Sequence, residues 1–288
     1  MKPTRRLREL LASQGIVMAA GAYDALTARL VEQAGFPLCV LGGNALSISL
    51  GYPDLGLTSM TEVARAARCI AGAVTIPVIA DADTGYGGTL NVWRTVQEFE
   101  GIGVAGLHIE DQAWPKRSGH MTGKKVVPTV EMVGKIRVAR EAREDADFVI
   151  IARCDALMVT GLSDTLERGE AYLEAGADVL FFETRNEIDE IEALAERFRG
   201  RVPLLYNHSE SGKAPLLQAA ELEAIGFKIA AFYGHAQLAA CRTMREVLDE
   251  ILRTGNSTTI WERMLPLDDV WQLCDLAKLK ALQENLGS

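Results

Sequence analysis

Eight short apolar runs, most of them closing on a polar residue or a glycine pair, constrain the fold of this chain more than any other feature. They lie at residues 16–20, 38–41, 78–80, 106–109, 148–152, 179–182, 204–206 and 229–232. Between them run amphipathic helical patterns, such as 26–34, 90–102, 131–143, 163–175 and 188–198. Gly35, Gly103, Gly176 and Gly226 stand just past helix ends, where a left-handed cap is favoured. Near-continuous apolar strands alternating with helices imply a parallel sheet covered on both faces. Eight such units in 288 residues imply an α/β chain of the (β/α)₈, TIM-type barrel architecture. An open doubly wound sheet is the alternative. The first run is not followed by Gly-x-Gly-x-x-Gly, which disfavours a dinucleotide-binding version of it.

No linker rich in Pro, Gly or Ser divides the chain, so residues 1–288 read as one barrel domain with a helical extension at 258–288. That extension is apolar on one face (Trp261, Met264, Leu265, Leu276, Leu279, Leu282). It either packs on its own barrel or docks on a neighbouring subunit. The net charge of -9 argues against a nucleic-acid or anionic-membrane partner. No apolar run reaches the roughly 20 residues that span a bilayer. The basic N-terminus leads into a charged amphipathic segment, which reads as a first helix rather than a signal peptide. Cys39, Cys69, Cys154, Cys241 and Cys274 are odd in number and scattered. They read as reduced, mostly buried thiols of a cytoplasmic protein, with no zinc site.

The chemistry concentrates where the runs end. Asp81-Ala82-Asp83-Thr84-Gly85-Tyr86-Gly87-Gly88 places two carboxylates on alternate residues before a glycine-rich turn. That pattern suits a hard divalent cation such as Mg²⁺, although an acidic turn capping the next helix has the same appearance. In a barrel the active site forms at the C-terminal ends of the strands. Collected there are Asp81, Asp83, Glu110, Asp111, Arg153, Glu183, Asn207, Tyr233 and His235. Asp111 or Asn207 alone reads best as a helix cap, but six polar strand ends together exceed what capping needs. Four carboxylates in one place repel unless a cation is bound. A divalent metal resolves this, with one or two direct carboxylates and the others bonded through metal-bound water. The segment 115–125 is basic and glycine-containing. It is either a solvated surface loop or a lid carrying Lys116, Arg117 and His120 over an anionic substrate.

Several of these segments together resemble the isocitrate lyase/phosphoenolpyruvate mutase superfamily. They are 81–87, His108-Ile109-Glu110-Asp111-Gln112, Lys116-Arg117-Ser118-Gly119-His120, Ala152-Arg153-Cys154-Asp155-Ala156, 51–56 and Asn207-His208-Ser209-Glu210. The resemblance implies a (β/α)₈ barrel, a homotetramer that exchanges its eighth helix between subunits, Mg²⁺ with Mn²⁺ as a workable substitute, and passage through a metal-stabilised enolate of a 2-oxo acid. Carried over by position, Asp83 is the direct metal ligand, and Asp54, Asp81, Glu110 and Glu183 hold it through water. Arg153 and the amides of Gly42 and Gly43 grip the 2-oxo acid, with Leu41, Asp81, Asn207 and His235 around the substrate. Lys116, Ser118 and His120 act from the lid.

The chain also departs from that pattern. Short-chain lyases of the superfamily carry a cysteine in place of Ser118, which acts as acid/base on the departing carbanion. A hydroxyl is a far weaker acid than a thiol of pKa about 8.5. Either the enzyme does without that proton transfer, or Ser118 replaces a native cysteine. Leu41 stands where lyases have serine, Ala239 where they have arginine, and Tyr233-Gly234-His235-Ala236 closes the eighth run. Leu41-Gly42-Gly43 and Gly234-His235-Ala236 resemble the oxaloacetate decarboxylase branch, which lacks the lid motif. The resemblance therefore implies Mg²⁺-dependent C–C cleavage of a small anionic 2-oxo or 2-hydroxy dicarboxylate, with oxaloacetate decarboxylation foremost. The rival expectations are a 2-methylisocitrate- or dimethylmalate-type lyase, a carboxyphosphonoenolpyruvate or phosphoenolpyruvate mutase, and a non-catalytic metabolite binder.

Overall fold

A computed structural model describes residues 1–119, 121–185, 187–209 and 214–287. Eight parallel strands, β1 (Val17–Gly21), β2 (Leu38–Leu41), β3 (Val78–Asp81), β4 (Gly106–Glu110), β5 (Val149–Cys154), β6 (Val179–Phe182), β7 (Leu204–Asn207) and β8 (Ile229–Phe232), pair in sequence order into a closed barrel. Closure is made by β1 on β8, with Val17 opposite Ile229. The open-sheet alternative is therefore excluded. Several strands run one or two residues further than their apolar runs, into Asp81, Glu110, Cys154 and Asn207. Ladder pairing carries the backbone past the point where hydrophobicity stops.

The period-2 alternation of the strands sorts their side chains into two cores. Val17, Leu38, Val40, Ile79, Ile151, Phe181 and Ile229 belong to the set inside the barrel. Cys39, Leu41, Val78, Leu107, Ile150, Leu180 and Leu204 pack outward, with the surrounding helices. The helix α1 (Pro3–Ala12) adds Leu7, Leu10 and Leu11 to the inner set. Arg8 ties this helix to the entry of β5 by donating to Asp147 O and Phe148 O, each at 3.1 Å. The bottom of the barrel is thus sealed, and polar groups collect at the top.

Helices α2 (Ala25–Gln33), α3 (Gly43–Ser49), α4 (Met60–Ala73), α5 (Thr89–Gly101), α6 (Thr129–Ala142), α7 (Leu162–Ala175), α8 (Ile188–Phe198) and α9 (Ala219–Ile225) follow the strands in turn. Their ends are capped by residues close in sequence. Asp24 accepts from Thr27 N at 2.7 Å, and Ser59 with Glu62 forms a capping box on α4. Gly35, Gly103, Gly176 and Gly226 all adopt positive φ.

The chain divides into two compact units, Met1–His235 and Ala236–Ser288. The first contains the whole barrel. The second begins well before residue 258, because α10 (His235–Thr254) buries only Gln237. It continues through a 3₁₀ turn at Thr258–Arg263, α11 (Leu267–Leu273) and α12 (Leu276–Asn285). No helix among the described residues is long and apolar enough to cross a membrane. The cysteine expectation needs correction. All five are free, but only Cys39 and Cys154 are buried, while Cys69, Cys241 and Cys274 are exposed. The last three lie in or beside helices on faces turned to solvent, and apolar sequence neighbours do not bury such a face.

Candidate active site

The inward-facing positions at the top of the barrel form one continuous polar layer. Asp81 ends β3, Glu110 ends β4, Arg153 and Asp155 close β5, Glu183 follows β6 and Asn207 ends β7. Most of these side chains are almost wholly buried, Glu110 and Asp155 at 0 % exposure. Asp83 is not in the strand. It sits in a left-handed turn at φ 46°. Its N–H donates to Asp81 Oδ1 at 2.9 Å, and its carbonyl accepts from Glu110 N at 2.8 Å. A turn pinned by the first aspartate, rather than strand alternation, brings the two carboxylates together. The other Asp81 oxygen accepts from Gly43 N at 2.9 Å, so the Gly43 amide that the resemblance assigns to substrate is already engaged. A Cβ on Gly43 would lie 2.9 Å from that oxygen.

Two cations lie within the layer and offset part of its charge. Lys116 Nζ lies 2.6 Å from Asp54 Oδ1 and 2.7 Å from Asp83 Oδ1, with its side chain 3 % exposed. Arg153 Nε faces Asp155 Oδ2 at 2.9 Å and Glu110 Oε2 at 3.4 Å, while Nη2 reaches Glu183 Oε2 at 3.0 Å. Phe181 supports the guanidinium from below, 4.9 Å from its ring centroid. Asn207 Nδ2 donates to both Glu183 oxygens at 3.3 and 3.4 Å.

This environment splits the carboxylates. Burial works to raise the Asp81 pKa, but His108, Lys116 and Arg153 together bring it down to about 2. Burial, joined by repulsion from Asp81 and Asp54, lifts Asp83 to about 6 against the pull of Lys116. Burial also pushes Glu110 well above the usual carboxylate range. His108, 3.5 Å from Asp81 and 3.5 Å from the Tyr233 hydroxyl, is driven down to about 4 by burial and stays neutral at pH 7.

The layer fits a hard cation. Asp83 Oδ2 and Glu110 Oε1 are buried oxygens without a hydrogen-bond partner. Buried polar atoms are ordinarily satisfied, so each marks a place for a further positive or donating group. Among the described residues no three His, Cys, Asp or Glu side chains could together ligate one ion directly. The residues placed to hold Mg²⁺, directly or through water, would be Asp83, Asp81, Asp54, Glu110 and Glu183.

The structure corrects other expectations. The Leu41 side chain belongs to the outer core and does not line the interior, since alternation turns it away from Val40. Lys116 contacts the acids rather than standing above a substrate. Arg117 is exposed and donates to Thr122 O at 3.1 Å. Ser118 is half-buried, with its N–H on Asp54 O at 3.1 Å. His120 and Glu210 lie outside the described residues. His235 begins α10, with the rings of His208 and Phe232 at 5.6 and 5.4 Å. Asp111 is neither metal ligand nor cap. It accepts from Asp155 N at 2.8 Å and Tyr172 OH at 2.7 Å behind the site. Sequence reasoning gave no role to His108, Asp155 or Lys124. Period-2 counting back from Glu110 and on from Arg153 reaches the first two, whereas Lys124 is placed only by the folding of the loop.

Comparison with known proteins gives the family. The phosphoenolpyruvate phosphomutase family model matches residues 7–252. The chain is 40 % identical over 289 residues to 2,3-dimethylmalate lyase of Eubacterium barkeri, covering 100 % of this chain and 99 % of that one. A solved oxaloacetate acetylhydrolase, in complex with the inhibitor 3,3-difluorooxalacetate, superposes with a TM-score of 0.94 at 34 % identity, covering 100 % of this chain and 98 % of that one. A phosphonopyruvate hydrolase complexed with oxalate and Mg²⁺ superposes with a TM-score of 0.91 at 34 % identity, covering 99 % of each. The chain belongs to the phosphoenolpyruvate phosphomutase family and is an enzyme of the isocitrate lyase/phosphoenolpyruvate mutase superfamily.

Proposed function

We propose that this enzyme cleaves a C–C bond in a small 2-oxo or 2-hydroxy dicarboxylate, with Mg²⁺ as cofactor and Mn²⁺ as a substitute, releasing pyruvate. Decarboxylation of oxaloacetate is the favoured form. The observation that carries this reading is one buried layer at the top of the barrel that holds the Arg153 guanidinium together with Asp83 and Glu110, each with a carboxylate oxygen that lacks a hydrogen-bond partner. When bound, the metal supplies Lewis-acid stabilisation of the negative charge that develops on the 2-oxo oxygen. Arg153 then holds the substrate carboxylate with the part of the guanidinium that Asp155 and Glu183 leave open, and those two acids orient it. Glu110 and Asp81 hold their carboxylates rigidly, because burial and the Gly43 amide restrict them. The lid over Arg153 excludes water while the C–C bond breaks. His208 and His235 stand on the β7–β8 side of the site, available to the far end of the substrate.

Ser118 supports the decarboxylase form. Carbon dioxide departs without needing a proton, and the enolate left behind takes its proton at C3 from water or a lid residue, so the missing thiol acid is no handicap. The absence of an arginine at Ala239 supports a substrate with only one distal carboxylate. Steady-state assay of oxaloacetate tests the reading. A Mg²⁺-dependent rate well above that of the free metal is expected, and a rate equal to the free-metal background rejects the subtype. The second reading is a dimethylmalate-type lyase, favoured by the full-length similarity to 2,3-dimethylmalate lyase and by the lid segment around Ser118. Ser118→Cys then raises retro-aldol turnover of substituted malates or isocitrates by an order of magnitude or more, consistent with general acid catalysis. No gain on any of them removes this reading. The thiol pattern supports a cytoplasmic location.

A further inference from the structure

We propose that Lys124 is a positioning residue that joins the lid to the Arg153 clamp through Asp155. The inference rests on the reading that the segment after β4 covers the active site. Gln112 and Val126 pair across the base of that segment as an antiparallel bridge, and Ala113 N donates to Lys125 O at 2.7 Å. Gln112 also clasps the outgoing limb, accepting from Arg117 N at 3.0 Å and donating to Arg117 O at 2.9 Å. Lys124 lies on the returning limb. Its side chain is 2 % exposed, against an Asp155 at 0 %. Nζ donates to Asp155 Oδ1 at 2.7 Å and to Gly119 O at 2.6 Å.

Two features set this pair apart from a simple structural ion pair. First, Asp155 is shared. The oxygen that takes Lys124 also takes Arg153 Nη2 at 3.2 Å, and the other takes Arg153 Nε at 2.9 Å. Without Lys124, that fully buried carboxylate has one cation left and draws the guanidinium toward itself, away from Glu183 and from a substrate. Second, the same ammonium also holds the Gly119 carbonyl of the lid. The lid backbone then lies directly on the clamp. A Cβ on Gly119 would stand 2.6 Å from the Glu183 carboxylate and 2.7 Å from Arg153 Nη2. One ammonium therefore fixes both the lid over Arg153 and the orientation of the fork beneath it. Such placement matters because a misplacement of about 1 Å costs on the order of a hundredfold in rate.

The test uses the full-length protein, Lys124→Met and Lys124→Arg. Hydrogen exchange at the amides of Arg117, Ser118 and Gly119 reads the lid, and calorimetric titration of oxalate in the presence of Mg²⁺ reads the clamp. Lys124→Met is expected to speed lid exchange at least tenfold and to weaken oxalate at least tenfold, with exchange in the barrel strands unchanged. Lys124→Arg restores both in part. Should the methionine variant not accumulate, Lys124→Gln, which keeps donors without charge, is read the same way. Wild-type lid exchange and oxalate affinity in Lys124→Met overturn the proposal, as does a lowered melting temperature with both readouts unmoved. Failure of the proposed reaction appears instead as no turnover by the wild-type enzyme, and leaves the exchange and oxalate readouts standing.

Discussion

Asp83 and Asp111, both read from the sequence as strand-end acids, turn out to have opposite work. Asp83 is held at φ 46° with an unpartnered oxygen and a pKa raised to about 6 by burial and by its acidic neighbours. Its ionised form is therefore disfavoured in the metal-free fold, and stability from this group is lost as pH rises through its folded value. Asp83→Asn should weaken Mg²⁺ binding at least tenfold by titration calorimetry, while the metal-free melting temperature holds or rises. A marked fall in that temperature would assign the residue to the fold instead. Asp111 is fully buried and gathers Asp155 N, Tyr172 OH, Cys154 Sγ and Arg168 Nη1. Asp111→Ala strips Arg168 of a buried partner and should cost about 3–5 kcal/mol in urea unfolding. No run of residues distinguishes the two aspartates, because their partners come from strands and helices distant in the chain.

Among the elements, the turn between β2 and α3 carries the tightest constraint. Gly42 precedes α3, and a Cβ there would meet the Tyr233 ring at 2.8 Å. Gly43 opens the helix against Asp81 and Asp83. Gly43→Ala must push Asp81 aside, disturbing the N–H donation that helps keep its pKa near 2. Turnover should fall by about two orders of magnitude, as for loss of an aligned electrostatic group. Circular dichroism and the melting temperature should change little, because alanine is a better helix former than glycine. Unchanged turnover would show that Asp81 tolerates displacement. The glycine pair was visible in the sequence. What it accommodates was not, since Tyr233 arrives from β8 and Asp81 from β3.

For the whole molecule, the barrel order follows from the eight runs, but the C-terminal unit does not follow from composition. Leu248, Leu252, Trp261, Leu265 and Leu286 are all more than half exposed in a single chain. So many large apolar side chains left exposed in one unit point to an association surface. We expect a homo-oligomer, a tetramer with exchanged eighth helices in the superfamily manner. Sedimentation should give a multiple of 31.3 kDa, and Leu252→Glu with Trp261→Glu should reduce it. A wild-type monomer at micromolar concentration would end that expectation.

Local sequence settled the strand cores, the main helices with the glycines past their ends, and the acidic strand ends. Each depends on hydrophobic period and on residues within a few positions of one another, and these signals survive without tertiary context. Residues 78–80 and 106–109 could be read as strands, and Asp81 and Glu110 as the polar residues that follow them, from the chain alone. The folded barrel alone decided which way each tip faces and what it meets. Leu41 faces outward by its parity in β2. Lys116 lies on Asp54 and Asp83, and Lys124 reaches Asp155 across 31 residues. These contacts come from closing eight strands into one ring, which brings charges together in space regardless of their separation in sequence.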